Sequence, residues 1–339
     1  MFPKIQWAPL DVPLKRRLQT LAILGMCLIF VIGVPFTQYL LYKLLYSEYW
    51  WVAILYLMWM IYDIEVCNRG GRISNWVRNL PVWRYYCDYF PVKLVKTAEL
   101  DPSKNYILGC FPHGVVTFGA FGAFGTNALD FYKTFPGLTV NMITLRERLI
   151  IPVLRELFLA WGGCSSSMQS LLYLLNPKKQ KGKCVTLAVG GTAELLDTHP
   201  GEYNVKLRNR KGFVRVALMT GASLVPVLSF GETDLFRDFN YPEGTLMRRW
   251  HKWVSQVTGF IPVFPIGRGV FQYSFGILPF RRPITVVVGA PIHVERNLEP
   301  STEEVDALHA TFMDKLTELF ETEKAKYITN HENVKLVIG

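Results

Sequence analysis

One histidine and one glutamate lie where acid-base chemistry is expected. His113 follows an apolar run, Tyr106–Cys110, within Phe-Pro-His-Gly, and Glu194 ends Gly-Gly-Thr-Ala-Glu after a second apolar run, Cys184–Val189. Histidine can take a proton from a hydroxyl near neutral pH, and a carboxylate can fix its tautomer and stabilise the imidazolium. The two residues therefore form a candidate catalytic dyad at two strand exits. A lone His or Glu more often satisfies a backbone group or begins a helix, so the surrounding sequence has to distinguish these interpretations.

A basic cluster follows the second of these runs. Five basic residues and no acid lie between Val205 and Arg215: Lys206, Arg208, Arg210, Lys211 and Arg215 itself. The apolar stretch Val216–Phe230 comes next, so the cluster precedes a predicted buried helix and strand. A phosphate-binding role for it is our hypothesis, and a solvated charged loop is the alternative.

Short apolar runs alternate with helical patterns after Asp63, which predicts an α/β domain with a mixed sheet rather than an all-helical or all-β fold. The predicted strands are Tyr106–Cys110, Cys184–Val189, Ser223–Phe230 and Ile284–Val288. The predicted helices include Val153–Trp161, Phe213–Met219 and Ser301–Lys326, the last beginning with a capping-box sequence. No repeat or linker is visible, so residues 65–339 are predicted to form one domain after an N-terminal membrane segment, residues 1–64.

The composition favours contact with a membrane. Apolar residues make up 50% of the chain and charged residues only 19%, and the mean hydropathy is +0.19. Lys and Arg exceed Asp and Glu by 37 to 27, a net charge of +10 that suits lipid headgroups, a nucleic acid or a phosphate-bearing substrate. The basic residues flank the apolar segment and one loop instead of forming an aromatic-studded stripe, so we expect no nucleic-acid partner.

Two apolar stretches predict a membrane hairpin. Leu18–Tyr46 has twenty-nine residues and Tyr49–Tyr62 has fourteen, against the ~20 that cross a bilayer core. Basic residues precede and follow the pair, whereas the connector carries only Glu48, so both ends are predicted to face the cytosol. Pro35 is predicted to kink the first helix. A signal peptide is the alternative, but the stretch is too long and lacks a convincing cleavage site.

Several chemistries find no support in the sequence. The six cysteines are scattered and predict reduced thiols, and Cys110 with His113 has no second ligand pair at zinc-like spacing, so we expect no metal. Neither Gly-x-Ser-x-Gly, a P-loop nor Gly-x-Gly-x-x-Gly occurs. His309 and Asp314 match a His-x4-Asp pattern, but five helical positions apart they diverge by about 140° and should not converge on one substrate.

Many segments together resemble the diacylglycerol acyltransferase type 2 and monoacylglycerol acyltransferase family. The resemblance runs nearly end to end and implies an endoplasmic-reticulum membrane enzyme that esterifies a glyceride hydroxyl with acyl-CoA and needs no other cofactor. The resembling segments are Arg16-Arg-Leu-Gln-Thr20, Arg69-Gly-Gly-Arg72, Tyr89-Phe-Pro91, Phe111-Pro-His-Gly114, Gly190-Gly-x-x-Glu194, Arg208-Asn-Arg-Lys-Gly-Phe213, Leu224-Val-Pro-Val227, Phe230-Gly-Glu232 and Gly267–Gly276. The chain departs from the family's His-Pro-His-Gly in having Phe111 at the first position; we favour the second histidine, His113, as the base because Pro112 and Gly114 constrain its backbone.

The resemblance, combined with acyl-transfer chemistry, suggests a role for each candidate residue. Transfer from a thioester to an alcohol requires deprotonation of the hydroxyl and stabilisation of an oxyanion. We expect His113 as base and Glu194 as its orienting partner. Further candidates are Gly114, Gly190 and Gly191 as backbone donors to the oxyanion, Arg208, Arg210 and Lys211 as ligands of the CoA phosphates, and Tyr89, Phe90 and Pro91 as a lipid entrance.

The acyl acceptor is less well determined by the sequence. Pro152-Val-Leu-Arg-Glu156 with Gly162-Gly163 resembles diacylglycerol acyltransferases, whereas only fourteen residues before Lys15 resembles monoacylglycerol acyltransferases. We expect diacylglycerol as acceptor, with monoacylglycerol or a long-chain alcohol as alternatives. Because the first family histidine is replaced, a non-catalytic lipid-binding protein of the membrane or lipid droplet is a further alternative. Oligomeric state and acyl-chain preference are open.

Overall fold

The computed structural model describes residues 5–195, 197–237, 244–258 and 266–339. The strands in these residues are β1 Lys93–Lys96, β2 Tyr106–Phe111, β3 Thr139–Thr144, β4 Gly163–Ser165, β5 Lys183–Ala188, β6 Tyr203–Val205, β7 Ser223–Phe230, β8 Thr285–Val288 and β9 Leu336–Ile338. The helices are α1 Leu14–Val31, α2 Gly33–Leu45, α3 Trp50–Tyr62, α4 Asn75–Arg78, α5 Val82–Tyr89, α6 Phe118–Ala120, α7 Phe131–Thr134, α8 Leu154–Ala160, α9 Met168–Leu174, α10 Thr192–Leu195, α11 Gly212–Thr220, α12 Leu246–Thr258 and α13 Thr302–Tyr327.

The main sheet has seven strands in the order β1-β8-β7-β2-β5-β3-β4. Its neighbouring strands are parallel except β7 and β8, which are antiparallel. A separate parallel pair joins β6 and β9. The predicted α/β fold with a mixed sheet is therefore confirmed, and the sheet is mostly parallel.

The predicted elements correspond closely to observed ones. The four predicted strands became β2, β5, β7 and β8, with ends that differ by at most one residue, and the three predicted helices became α8, α11 and α13. The capping box of α13 is present, because the Ser301 hydroxyl accepts from the Glu304 N–H and the Glu304 carboxylate accepts from the Ser301 N–H. Strands β1, β3 and β4 of the main sheet and the separate pair β6 and β9 were not predicted.

Alternate residues of the central strands face two separate hydrophobic clusters. In β2, Tyr106, Leu108 and Cys110 belong to a cluster on one side, whereas Ile107 and Phe111 belong to the other. The first cluster includes side chains of α1, α5 and α6, and the second includes α9, α11 and α13. Helices thus cover both faces of the sheet, which is why its strands are apolar on both sides.

The apolar N-terminal segment differs from the single long helix predicted for Leu18–Tyr46. The helix breaks at Ile32, and the axes of its two parts meet at 64°. Pro35 is not at the break but in the first turn of α2, where a missing N–H is not needed for the helix. By length and composition, Trp50–Asn68 could cross a membrane, and the bent pair would be a second crossing if it acts as one span.

The first and last helices of this segment, α1 and α3, contact the α/β domain. Ala22, Ile23 and Met26 of α1 are buried in the first hydrophobic cluster. The end of α3 is fixed by ion pairs, since the carboxylate of Asp63 binds Arg72 and the buried Arg155, and both guanidinium groups lie over the ring of Trp59. Outward-facing Trp50, Trp51, Leu55, Met58 and Ile61 leave the rest of α3 apolar and exposed.

Candidate active site

Three loops meet at one edge of the sheet. Because β2 is parallel to both β5 and β7, the carboxyl ends of these adjacent strands lie side by side. The loops that follow them carry His113, Glu194 and Glu232 respectively. Ligand sites of parallel sheets form at such edges, so the fold brings the two predicted dyad residues together and adds a third titratable group.

The imidazole of His113 is oriented by the backbone. Its Nδ1 lies 3.1 Å from the carbonyl oxygen of Gly114. A carbonyl can only accept, so in the neutral ring Nδ1 carries the proton and Nε2 is left as the basic nitrogen. Burial, and to a smaller extent the charge of Arg148, lowers the pKa of His113 to about 4. The ring is therefore neutral at physiological pH, as a general base has to be.

Glu194 reaches the histidine through its main chain, not its ring. One carboxylate oxygen accepts from the His113 N–H at 2.7 Å, and the other accepts from the Lys206 N–H at 2.8 Å. We expected Glu194 to fix the imidazole tautomer. In the structure the Gly114 carbonyl binds Nδ1, and Glu194 contacts the main chain of His113. Glu194 thus holds the backbone that carries His113. Burial raises the pKa of Glu194 to about 7, against the lowering effect of the two N–H donors.

Gly190 is required for this arrangement. The Glu194 side chain folds back over Gly190 so closely that a Cβ there would overlap the carboxylate. Gly191, by contrast, has open space at its Cβ position but a positive φ of 59°. The first glycine therefore provides room for Glu194, and the second allows the turn.

Glu232 was not predicted as a site residue. It is 2% exposed, and its two carboxylate oxygens accept from the N–H groups of Phe118 at 2.7 Å and Gly119 at 2.9 Å. A Cβ on Gly114 would lie 3.0 Å from the Glu232 Cγ, so the Glu232 side chain packs directly against the loop that carries His113. Burial raises the pKa of Glu232 to about 8. The sequence feature that could have identified Glu232 is an acid two residues after the end of a buried strand, in Phe230-Gly-Glu232.

Arg148 is a second residue that the sequence did not single out. It follows β3, whose carboxyl end lies at the same sheet edge beyond β5, and its charge acts on His113. Burial lowers the pKa of this half-buried guanidinium, and no ion pair joins it to another residue in the described ranges. In the described ranges, Arg148 is therefore a positive charge near His113 without an ion-pair partner.

We expect two features in the pH dependence of kcat/KM. Activity should be lost as pH falls through about 4, because His113 must be unprotonated to act. A shallower change near pH 7 should report Glu194, whose protonation weakens its hold on the His113 N–H. Because burial lowers the pKa of His113 below its ordinary value of 6.5, this group by itself decreases the free energy of unfolding as pH falls from 6.5 to 4, whereas Glu194 and Glu232, whose pKa values burial raises, act in the opposite direction.

Arg148→Gln tests whether the charge of Arg148 helps to lower the pKa of His113. Removing the positive charge should raise the pKa of His113 and move the acidic limb to higher pH. The matched control is Arg146→Gln, because Arg146 is exposed and lies 3.6 Å from Glu65. An acidic limb at pH 6.5 in the kcat/KM profile of the unchanged protein would contradict a lowered His113 pKa.

The three glycines proposed as oxyanion donors differ in availability. The N–H of Gly191 donates to the Ala188 carbonyl at 3.1 Å and is already used in the turn. In the described part of the chain, the N–H groups of Gly114 and Gly190 have no acceptor. Gly114 and Gly190 therefore remain candidates for binding a developing oxyanion, and Gly191 does not.

The basic cluster lies beside the site but is largely solvent-exposed. Arg208, Arg210 and Lys211 are all exposed. Lys211 binds the carboxylate of Asp306 at 2.6 Å, whereas the charge of Arg210 acts on Glu194 and lowers its pKa. Of the three predicted phosphate ligands, Lys211 is thus paired with an acid, whereas Arg210 is close enough to Glu194 to lower its pKa.

The predicted lipid entrance is mostly inside the protein. Tyr89 and Phe90 are 1% and 0% exposed. The Tyr89 hydroxyl donates to the Pro279 carbonyl at 2.6 Å, and the Phe90 ring packs 5.1 Å from that of Phe118. Only Pro91 is exposed. Aromatic packing therefore explains Tyr89 and Phe90, and neither lines an open entrance.

Phe111, the position at which the sequence departs from the resembled pattern, lies in the core. Its ring is fully buried and lies 6.2 Å from that of Phe312 in α13. The rejected pair is also explained, since His309 is buried, with Nε2 3.1 Å from the Leu207 carbonyl, while Asp314 is exposed. Those two side chains do not converge.

Phe111→His should destabilise the protein without raising its activity. The new ring would place polar nitrogens among apolar neighbours, at a cost of about 1–3 kcal/mol in the free energy of unfolding. Phe111→Leu, which stays apolar, is the control for lost packing. Both variants can be compared by thermal unfolding in detergent, and a rise in kcat/KM for Phe111→His would show that the first family position takes part in the chemistry.

Comparison with known proteins places the chain in context. The diacylglycerol acyltransferase family pattern matches residues 42–339. The 2-acylglycerol O-acyltransferase 1 of Bos taurus is 44% identical over 96% of both chains, and diacylglycerol O-acyltransferase 2 of Xenopus tropicalis is 42% identical over 96% of this chain and 90% of that protein. A solved structure, the 1-acyl-sn-glycerophosphate acyltransferase of Thermotoga maritima, aligns over 92% of this chain and 98% of that chain with 12% identity and a TM-score of 0.42, a likeness too low to bear on function.

Proposed function

This chain belongs to the diacylglycerol acyltransferase family, and we propose that it moves a fatty acyl group from acyl-CoA to the free hydroxyl of diacylglycerol, forming triacylglycerol. The observation that supports this activity most directly is the state of His113. Its proton is on Nδ1, held by the Gly114 carbonyl, and Nε2 is a neutral base at the carboxyl edge of a parallel sheet.

Acyl transfer at this site proceeds in two steps. Nε2 of His113 takes the proton of the acceptor hydroxyl as its oxygen attacks the thioester carbonyl, and the N–H groups of Gly114 and Gly190 bind the resulting oxyanion. The intermediate then breaks the carbon–sulfur bond. The imidazolium returns its proton to the departing CoA thiolate, which restores the neutral ring, and the low pKa of His113 favours this return.

Glu194 and Glu232 act through the backbone. Glu194 fixes the main chain at His113, and Glu232 fixes Phe118 and Gly119 on the other side of the same loop. Neither carboxylate has to touch the substrates. Preorganisation of this kind avoids reorientation of the base during the reaction.

The two substrates differ in solubility, which accounts for the rest of the layout. The apolar helices hold the α/β domain at the bilayer where diacylglycerol resides, as a hairpin with both ends in the cytosol. Acyl-CoA reaches the edge from the water, and Arg208 and Arg210 attract its phosphates. We place the enzyme at the endoplasmic reticulum membrane or the lipid-droplet surface, with acyl-CoA as co-substrate and no further cofactor.

Monoacylglycerol is the second candidate acceptor. Relatives named 2-acylglycerol O-acyltransferase 1 are 42–44% identical to this chain, against 38–42% for relatives named diacylglycerol O-acyltransferase 2. Membranes containing the protein should be offered equal amounts of diacylglycerol, monoacylglycerol and a long-chain alcohol with one labelled acyl-CoA. Labelled triacylglycerol as the major product supports the proposal, labelled diacylglycerol supports the second candidate, and no ester above background would contradict catalysis.

A further inference from the structure

A cavity of about 890 Å³ lies between the N-terminal arm, the first turns of α1 and the loop that contains Arg268. The arm, residues 6–12, is fastened to that loop by backbone hydrogen bonds from Ala8 to Phe271 and from Tyr273 to Gln6, of 2.9 and 2.8 Å. The volume is within the range of about 300–1,000 Å³ that small-molecule sites occupy.

Four arginines line this N-terminal cavity: Arg16, Arg17, Arg268 and Arg281. In the ranges that the structure describes, none of them forms an ion pair with a carboxylate. Arg281 instead donates to the neutral side chains of Gln19 and Thr20, and Arg268 is only 8% exposed. Burial lowers the pKa of Arg281, and the charges of Arg268 and Arg16 lower it further. The like charges around the cavity therefore favour a bound anion.

The remaining lining is largely apolar. Leu18, Leu21 and Leu24 come from α1, and Val270 and Phe271 come from the opposing loop. Leu21 is 61% exposed and Phe271 is 77% exposed, so exposed apolar side chains surround the mouth of the cavity at the start of the apolar segment. A ligand that fits has an anionic head and a hydrocarbon chain, and it arrives from the side that a bilayer would cover.

We propose that the N-terminal cavity binds an anionic glycerophospholipid of the bilayer, with its phosphate at Arg268 and Arg281 and an acyl chain along Leu18, Leu21 and Leu24. Guanidinium groups match phosphate oxygens in geometry and charge. The position of Arg16 and Arg17 at the head of an apolar helix is that of basic side chains at the headgroup level. Binding there would fix α1 against the loop, and this role does not depend on which acceptor the enzyme uses.

The full chain, purified in dodecylmaltoside, can be titrated with palmitoyl-oleoyl phosphatidylserine in mixed micelles while its thermal unfolding midpoint is followed. We expect phosphatidylserine to raise the midpoint, and phosphatidylcholine with the same chains and inorganic phosphate to leave it unchanged. Arg268→Gln and Arg16→Gln should each weaken the apparent affinity about tenfold. Arg282→Gln is the matched control, because Arg282 is exposed and does not line the cavity.

Each other result is equally decisive. Equal stabilisation by phosphatidylcholine, or unchanged phosphatidylserine affinity in Arg268→Gln, would overturn the proposal. So would displacement of phosphatidylserine by a lower concentration of palmitoyl-CoA, since the cavity would then belong to the acyl donor. If Arg268→Gln lowers the lipid-free midpoint, Arg268→Lys replaces it; the lysine keeps the charge and loses the fork, so an intermediate loss of affinity is expected.

Discussion

Replacing His113 with alanine should lower kcat/KM by about 10²- to 10⁴-fold, the usual contribution of a general base. The effect follows from the loss of Nε2, which the Gly114 carbonyl leaves unprotonated by binding the opposite nitrogen. His113→Asn is the sharper variant, because its amide N–H₂ can still reach that carbonyl but cannot take a proton from the acceptor hydroxyl. Both should be measured with labelled acyl-CoA in membranes carrying equal amounts of protein.

The comparison also needs a histidine that lies elsewhere. His331 is half-buried in the turn before β9, and His331→Ala should keep the activity of the unchanged protein. Membrane attachment and the unfolding midpoint of His113→Ala should remain close to those of the parent chain, since the loop is held by the main-chain N–H that alanine retains. Full activity in both His113 variants would exclude this imidazole from the reaction.

Gly190→Ala should reduce kcat/KM by about 10- to 100-fold while His113 itself is unchanged. The added methyl overlaps the Glu194 carboxylate and forces it away from the N–H groups of His113 and Lys206. Leaving such buried donors unpaired costs about 1–3 kcal/mol each, and part of that cost appears as a misplaced base. The measurement is kcat/KM together with the free energy of unfolding.

Gly191→Ala provides the matched control in the neighbouring residue. It adds the same methyl to open space, so it should cost only the strain of a positive φ, about 1–2 kcal/mol of stability. Per folded molecule its activity should stay near that of the parent chain. If the two alanine variants lost activity to the same extent, the contact between Gly190 and Glu194 would not be what positions the base.

The central strands could be predicted because each is a continuous buried apolar run bounded by turn residues, as in Ser223–Phe230. The strands of the main sheet that were missed lie towards its ends, and the separate pair β6 and β9 was missed as well. Lys93–Lys96 mixes charge with apolar residues, and Gly163–Ser165 has only three residues, so neither produces a clear pattern. The N-terminal capping box fixed the start of α13 through local chemistry alone.

The candidate site was predictable only as far as the residue types. His113 and Glu194 follow strands that proved to be neighbours, but the sequence does not specify whether a carboxylate reaches a ring or a main-chain N–H. Glu232 and Arg148 enter the site through strand order, which places β7 and β3 at the same edge as β2 and β5. Tyr89 and Phe90 were misplaced because an aromatic pair near a lipid-facing segment has the same sequence pattern whether it packs inward or outward.

The contacts at the sheet edge join distant parts of the polypeptide. Glu194 binds the His113 N–H across 81 residues, and Glu232 binds the Phe118 N–H across 114. Contacts between residues so far apart in sequence form late in folding, because closing a long loop costs chain entropy before the contact can form. On the ribosome, the apolar helices α1, α2 and α3 are synthesised before the residues that make most of these contacts. We therefore expect the nascent polypeptide to expose its apolar helices before the His113 loop can be assembled, because Glu194 and Glu232 are translated later.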